Sequence, residues 1–420
     1  MSITSFTQEN GELQWVKDIC RQTLDFWATY ASTEPGKGYF ACLRGDGQPY
    51  DLNNQHLVAS ARFVINFAMG AELFNSDYFR GHAIAALDFL RSAHRDRKYG
   101  GYHWIMHDDK TPDSRKVLYG HAFVLLAAAH AVEAGLPDSE QFLADIVEAL
   151  RVHFSGDDVL AEPNYWSSDW QVASETRGQN PNMHLCEAYI AAYEATEDAS
   201  FLGRALDIAT TLTRDLALET PHHVVWENFD GSWGLLHWPG SGFEDNSTIE
   251  SKFNVFPGHQ SEWAKLLGIL YRHTGRAWLL ERSLELYDVA WSHGWDHHDD
   301  QGFYMVLDDE LRVPTEKDAI EEINANWLSL KSYWSPPEAI GAAAVLQSLT
   351  GDSKFARDRE LLWDYCRRQM IDEALGGWYK IPTSLPKRSD ALKGDLFDPD
   401  YHALGACFET LRSLSGVNRK

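Results

Sequence analysis

Histidines recur where helical patterns open along this chain, in company that suits proton transfer. His184 closes the run Arg177-Gly178-Gln179-Asn180-Pro181-Asn182-Met183-His184, His259 sits in Pro257-Gly258-His259-Gln260-Ser261-Glu262-Trp263, and His402 ends Asp400-Tyr401-His402. An unperturbed imidazole has a pKa near 6.5, so it can both take and give a proton near neutral pH. His259 and Glu262 are three apart, hence on one helix face, where the carboxylate can orient what the histidine addresses. The Pro257-Gly258 step leaves His259 in a first helical turn, where free backbone N–H groups favour developing negative charge. Such a site suits an enediolate, formed when a proton leaves a carbon next to a carbonyl.

Other chemistries fit less well. Zinc would need a set such as His259-x-x-Glu262 with His184 and His402, yet no His-Glu-x-x-His and no clustered Cys/His spacing occurs, so no metal is expected. Glycoside hydrolysis would need two carboxylates flanking one bond, with Glu187, Glu262 and Glu338 as candidates, but the conspicuous residues are His and Arg. No Walker-type or Gly-x-Gly-x-x-Gly loop is present, so no nucleotide or nicotinamide cofactor is expected. The doublets His222-His223 and His297-His298 lie among charges in loops and read as solvated.

The elements that must position these residues form a degenerate repeat of roughly 60–75 residues. Gly38-Tyr39-Phe40, Gly100-Gly101-Tyr102, Gly302-Phe303-Tyr304 and Gly376-Gly377-Trp378-Tyr379 mark it, with weaker copies at Asn164-Tyr165-Trp166 and Val225-Trp226. Between marks lie two helical patterns. Segments 56–74, 117–134, 182–196, 259–274, 335–349 and 402–414 are Ala/Leu-rich and nearly apolar all round, which predicts burial on both sides. Segments 8–31, 78–94, 139–153, 201–217, 278–293 and 353–371 are amphipathic. Strict alternation predicts an all-α fold, an (α/α)6 barrel made of one domain over residues 1–420, with segment 8–31 pairing with 402–414 to close it. An aromatic opens the second helix at Tyr78, Phe142, Phe201, Trp278 and Phe355, and Gly275 and Gly351 end two of the first. Period-two runs such as 302–307 predict short hairpins at one mouth. Loops 219–258 and 308–334 are long enough to be functional, and the first, with Trp226, Trp233, Trp238 and Phe243, is expected to cover the mouth.

Parallel inner helices bring their polar first turns to that mouth. His56 and Arg62 come from the first, Tyr119 and His121 from the second, and Asn180 and His184 from the third. His259 and Glu262 come from the fourth, Trp334 and Glu338 from the fifth, and His402 from the sixth.

Composition narrows the partners. The chain has 420 residues and a net charge of −25, with no basic run, which argues against nucleic acid and anionic membranes. No apolar run is expected to span a membrane, and the start Met1-Ser2-Ile3-Thr4 lacks a leader pattern. The five cysteines are scattered, odd in number and without Cys-x-x-Cys, so buried thiols and a cytoplasmic location are expected. The 16 Trp and 17 Tyr suit the faces of a sugar as well as rim packing.

At Gln55-His56-Leu57-Val58-Ala59-Ser60-Ala61-Arg62, Tyr99-Gly100-Gly101-Tyr102, 177–184, 257–263 and 400–402 the sequence resembles the N-acylglucosamine 2-epimerase superfamily. The matching stretches span nearly the whole chain in family order. The resemblance implies an (α/α)6 barrel and metal-free proton transfer on an open-chain sugar, with His259 and His402 as the acid/base pair. It implies that His184 assists ring opening or binds hydroxyls, that Arg62 polarises the carbonyl oxygen, and that Glu262 and Glu338 support these groups. Asn180 and aromatic residues, Tyr119 and Trp334 among them, would hold the sugar. Isomerase and epimerase share removal of the C2 proton, and both histidines occur in both classes. Tyr333-Trp334-Ser335-Pro336-Pro337-Glu338-Ala339 resembles the family's Trp-x-x-x-Glu-Ala pattern, with a Pro pair not expected in disaccharide epimerases. Only Arg62 and Arg177 are cations at the mouth, fewer than sulfoquinovose would want. The expected activity is therefore D-mannose to D-fructose isomerisation, with D-lyxose and D-xylulose as a second pair, in a monomer or homo-oligomer.

Overall fold

The computed structural model describes residues 9–108, 110–155, 159–237, 253–298, 301–314, 331–380 and 391–415. Among these, twelve α-helices alternate between an inner and an outer ring. The inner helices are α2 (Leu57–Phe74), α4 (Leu118–Glu133), α6 (Gln179–Thr196), α8 (Pro257–Thr274), α10 (Ser335–Thr350) and α12 (Tyr401–Leu414). The outer ones are α1 (Glu9–Tyr30), α3 (Asp77–Ser92), α5 (Ser139–Leu150), α7 (Ala199–Thr210), α9 (Ala277–Val289) and α11 (Ser353–Gln369). Each inner helix packs on the next and α12 packs back on α2, so the inner ring closes, and α1 packs on α12 as expected.

The apolar-all-round pattern has its predicted result. In α4 every residue from Gly120 to Ala129 is buried, while α3 buries one stripe, Phe79, Ala83, Ala86, Leu87, Phe89 and Leu90. Inner helices α2, α6, α8 and α10 end on left-handed residues Asn75, Glu197, Gly275 and Gly351, which turn the chain sharply into the next outer helix. At the start of α3 the aromatic that seats the turn is Phe79, fully buried, whereas Tyr78 is exposed. The outer helices α5, α7 and α9 widen into π-helical turns at Arg151–Ser155, Thr211–Leu216 and Ala290–Gly294 before leaving the ring. One helix, α2, is long and apolar enough to cross a membrane by length and composition, against the expectation of none. It lies in the inner ring, 72% buried, and carries Arg62 and Asn66 inside the protein.

Short hairpin bridges such as Ile105–Asp113, Trp166–Ala173 and Trp295–Phe303 occur within units as expected, but the longer strand pairs join one unit to the next. β1 (Asn54–His56), β3 (Lys116–Val117) and β5 (Arg177–Gly178) each lead into an inner helix. They pair antiparallel with β2 (Ile105–His107), β4 (Tyr165–Trp166) and β6 (Asn228–Phe229), which belong to the connection of the following unit. The bridge Val255–Leu307 repeats this link ahead of α8. The ladder therefore runs from unit to unit around the mouth.

The Gly–aromatic marks are structural staples. After α3, α9 and α11 the chain turns through Asp96, Asp296 and Asp372, whose N–H groups bond to the carbonyls of Gly101, Gly302 and Gly377. Each aspartate also accepts a lysine from the segment leading to the next inner helix: Lys116 at 2.6 Å, Lys331 at 2.7 Å and Lys393 at 2.7 Å. Gly100, Gly101, Gly376 and Gly377 have positive φ, which only glycine adopts freely. The aromatics they deliver, Tyr102, Phe303 and Trp378, are buried in the core. They are packing residues and not sugar platforms.

Candidate active site

All six inner helices meet in one polar cluster at their amino-terminal ends, and it is built from histidine–carboxylate pairs. His402 Nδ1, at the start of α12, lies 2.7 Å from Glu338 Oε1 on α10. His184 Nδ1 on α6 lies 2.9 Å from Glu187 Oε2. His259 Nδ1, in the first turn of α8, lies 2.7 Å from Glu227 Oε1, just before β6. A carboxylate that accepts from Nδ1–H fixes the neutral tautomer with Nε2 as the basic nitrogen. All three pairs thus prepare an imidazole for taking a proton.

His259 does not pair with Glu262, as its spacing suggested. Gln179, the first residue of α6, intervenes: its amide donates to both Glu227 oxygens at 3.0 and 2.9 Å, and Trp263 Nε1 donates to its carbonyl at 2.8 Å. The pairing of β5 with β6 places Glu227 there, with its own N–H bonded to Asn254 O.

Arg62, five residues into α2, joins the other side. One terminal nitrogen donates to the Tyr119 hydroxyl at 3.2 Å and reaches His402 Nε2 at 3.5 Å, while the second donates to Phe397 O and lies 3.7 Å from Asp398. The guanidinium is clamped between the Phe123 and Tyr401 rings, 4.5 and 4.6 Å from their centroids. Trp334 lies between the two histidines, 4.9 Å from the His259 ring and 5.7 Å from that of His402. Tyr119 also meets the His184 ring edge-on at 5.2 Å.

Beneath the imidazoles lies a charged floor. Lys265, one turn past Glu262, donates to Glu338 Oε2 at 2.6 Å and lies 3.8 Å from Glu187 Oε1. Burial alone would raise the Glu338 carboxyl, but Lys265 and the bond from His402 hold it down at about 2. Glu187 is lowered for the same reasons, with Lys265 and His184 outweighing burial. Burial dominates at the histidines: His184 falls to about 4, partly opposed by Glu187, and His402 is lowered too, so both are neutral near pH 7. Glu262 is the exception. It is fully buried, neither carboxyl oxygen has a hydrogen-bond partner among the described residues, and burial together with Glu338 raises it well above the usual range.

The sets His184–Glu187–Glu262 and Glu262–Glu338–His402 are close enough to surround an ion. The Lys265 ammonium already supplies a positive charge against these carboxylates, and His259 belongs to neither set. A cavity of about 110 Å³ with Lys265, Glu187 and Glu338 in its wall lies deeper in the barrel, and none of His184, His259, His402 or Arg62 lines it.

Other expected mouth residues have different duties. Asn180 stands in the first turn of α6 with Oδ1 buried and unpartnered among the described residues. His56 caps α2 by accepting from Val58 N, and His121 bonds Val117 O and Tyr102 N, so both are structural. Arg177 is tied to Glu162 at 2.7 Å. Trp238 and Phe243 of the expected cover, and most of loop 308–334, lie outside the described residues. Sequence reasoning passed over Glu227, Gln179 and Lys265. Lys265 did leave a signal, since a lysine on an apolar inner helix must find buried carboxylates.

The pattern of the N-acylglucosamine 2-epimerase family matches residues 38–406. This chain belongs to that family. It is 31% identical over 382 residues to a D-mannose isomerase of Marinomonas mediterranea, covering 91% of this chain and 93% of that one. It is 21% identical over 409 residues to a cellobiose 2-epimerase of Dictyoglomus turgidum, covering 93% and 95%. A crystal structure of D-mannose isomerase superposes with a TM-score of 0.86 at 29% identity, over 98% of this chain and 100% of that one. The protein is an enzyme of the isomerase and epimerase class, and its substrate is a small sugar.

Proposed function

We propose that this enzyme interconverts D-mannose and D-fructose, and D-lyxose and D-xylulose by the same chemistry. The observation that carries the reading is the pair His259 and His402, each held by a carboxylate at Nδ1 and flanking Trp334. Similarity to D-mannose isomerase over nearly the full chain supports the choice of sugar.

In this reading the open-chain aldose lies over Trp334 with its carbonyl oxygen on Arg62, a guanidinium preorganised for the charge of an enediolate. One imidazole removes the C2 proton through Nε2, and the resulting cis-enediolate receives a proton at C1 to give the ketose. The other imidazole moves the proton between O1 and O2. His184, Asn180 and Glu262 bind hydroxyls, and the unpartnered oxygens of the last two suit that task. The floor carboxylates stay ionised and hold Nδ1–H in place. No metal or cofactor takes part, and residues 1–420 act as one catalytic domain. The five cysteines are free and buried, in keeping with a cytoplasmic enzyme.

Incubation with D-mannose in deuterated water tests this. Fructose with deuterium from solvent supports the isomerase, glucose in its place makes the enzyme a 2-epimerase, and neither product nor exchange removes D-mannose as the substrate.

A further inference from the structure

Two of the three histidine–carboxylate pairs share a single cation. His402 Nδ1 meets Glu338 Oε1 at 2.7 Å, and Glu338 Oε2 meets Lys265 Nζ at 2.6 Å. Lys265 Nζ lies 3.8 Å from Glu187 Oε1, and Glu187 Oε2 meets His184 Nδ1 at 2.9 Å. The result is an unbroken line, His402–Glu338–Lys265–Glu187–His184, across α12, α10, α8 and α6. The third pair is different in kind. Glu227 under His259 is backed by the neutral Gln179 amide and has no part in this line.

We infer that Lys265 is a positioning residue for proton transfer: by bridging Glu338 and Glu187 it holds both as acceptors beneath His402 and His184, so that the two imidazoles respond as one unit.

The surroundings leave this task to Lys265. Three carboxylates, Glu187, Glu262 and Glu338, converge on its ammonium group, and a buried carboxylate without a cation takes up a proton. The other nearby cation, Arg62 from α2, is engaged by Asp398, Tyr119 and the ring clamp, and Asp398 is also held by Lys380 at 2.6 Å. Tyr119 from α4 and Tyr401 from α12 contribute hydroxyls only. Glu262, 3.8 Å from His184 Nδ1, is the carboxyl of the three that burial and Glu338 push up. Gly341 on α10 makes room for the lysine stem, since a Cβ there would stand 3.3 Å from Lys265 Cδ. Without the ammonium, Glu338 and Glu187 would hold protons at higher pH and would accept from Nδ1–H only as neutral groups, a weaker bond that no longer steadies an imidazolium, and the bases would fail earlier on acidification.

The inference rests on the isomerase reading for its kinetic consequence, but not for the coupling itself, so two experiments separate them. With D-mannose as substrate, Lys265→Met should lower kcat at least tenfold with KM changed less, and should move the acid limb of the kcat/KM profile up by about one pH unit, a tenfold change in proton affinity. Lys265→Arg should restore the wild-type limb. A Met variant that keeps its circular dichroism and the wild-type limb, with only a uniform loss of rate, overturns the role. Should it fail to fold, ring ¹⁵N signals recorded without sugar decide: Glu338→Gln should shift those of His184, with which Glu338 has no direct hydrogen bond. An unmoved His184 signal overturns the coupling whatever the enzyme's substrate.

Discussion

Glu227 Oε1 stands 2.7 Å from His259 Nδ1 across 32 residues of chain. The contact gives His259 its tautomer, and it exists because β6 pairs with β5 ahead of α6. Glu227→Gln keeps an acceptor but removes the charge, a change in hydrogen bonding of roughly 1–3 kcal/mol. We expect kcat to fall about 10- to 100-fold with the melting temperature lowered by only about a few degrees, and steady-state kinetics beside thermal denaturation checks it. Wild-type kcat would remove Glu227 from the mechanism.

His259→Ala and His402→Ala should each lose about 10²–10⁴-fold in turnover, the range of general acid–base catalysis, while circular dichroism stays unchanged. A near-normal rate in either variant refutes its assignment as acid or base.

Gly258 precedes His259 in α8, and a Cβ at this position would overlap the Trp334 ring and Ser335 Oγ. Trp334 is the surface between the two histidines, so Gly258→Ala should displace it and raise KM and lower kcat together. Trp334→Phe, which removes only ring bulk and the indole N–H, should relieve part of the loss in the double variant. Additive losses would place the two residues in separate roles.

Acid should destabilise the fold through structural histidines. His94 and His121 are fully buried, and burial lowers both to about 4. An unfolded histidine titrates near 6.5, so between these values the unfolded chain binds more protons than the folded one. Stability is then full above pH 6.5 and declines as pH falls toward 4, by about 3 kcal/mol per histidine at most. Urea denaturation at pH 7, 6, 5 and 4 measures this. A flat unfolding free energy across that window would show that these rings gain protons without unfolding.

The architecture was legible because it repeats a local property. A helix that is apolar all round is buried whatever its neighbours, and α4 and α10 announce this through their Ala/Leu runs. Polar residues confined to the first turns of such helices must gather at one mouth once the helices run parallel, so Arg62, His184, His259, Glu338 and His402 were within reach of the amino-acid sequence. Only the tertiary structure decided which carboxylate serves which imidazole. Helical spacing pointed His259 to Glu262, but the packing of α6 against α8 inserts Gln179 and brings in Glu227 from an irregular connection with no periodic signal. It likewise leaves Glu262 without a hydrogen bond among the described residues and seats Lys265 between Glu187 and Glu338 from two other helices. Such pairings depend on distances of a few tenths of an ångström between elements far apart in the chain. The side-chain types suit proton transfer, and the packing of one helix on the next decides which imidazole meets which carboxylate.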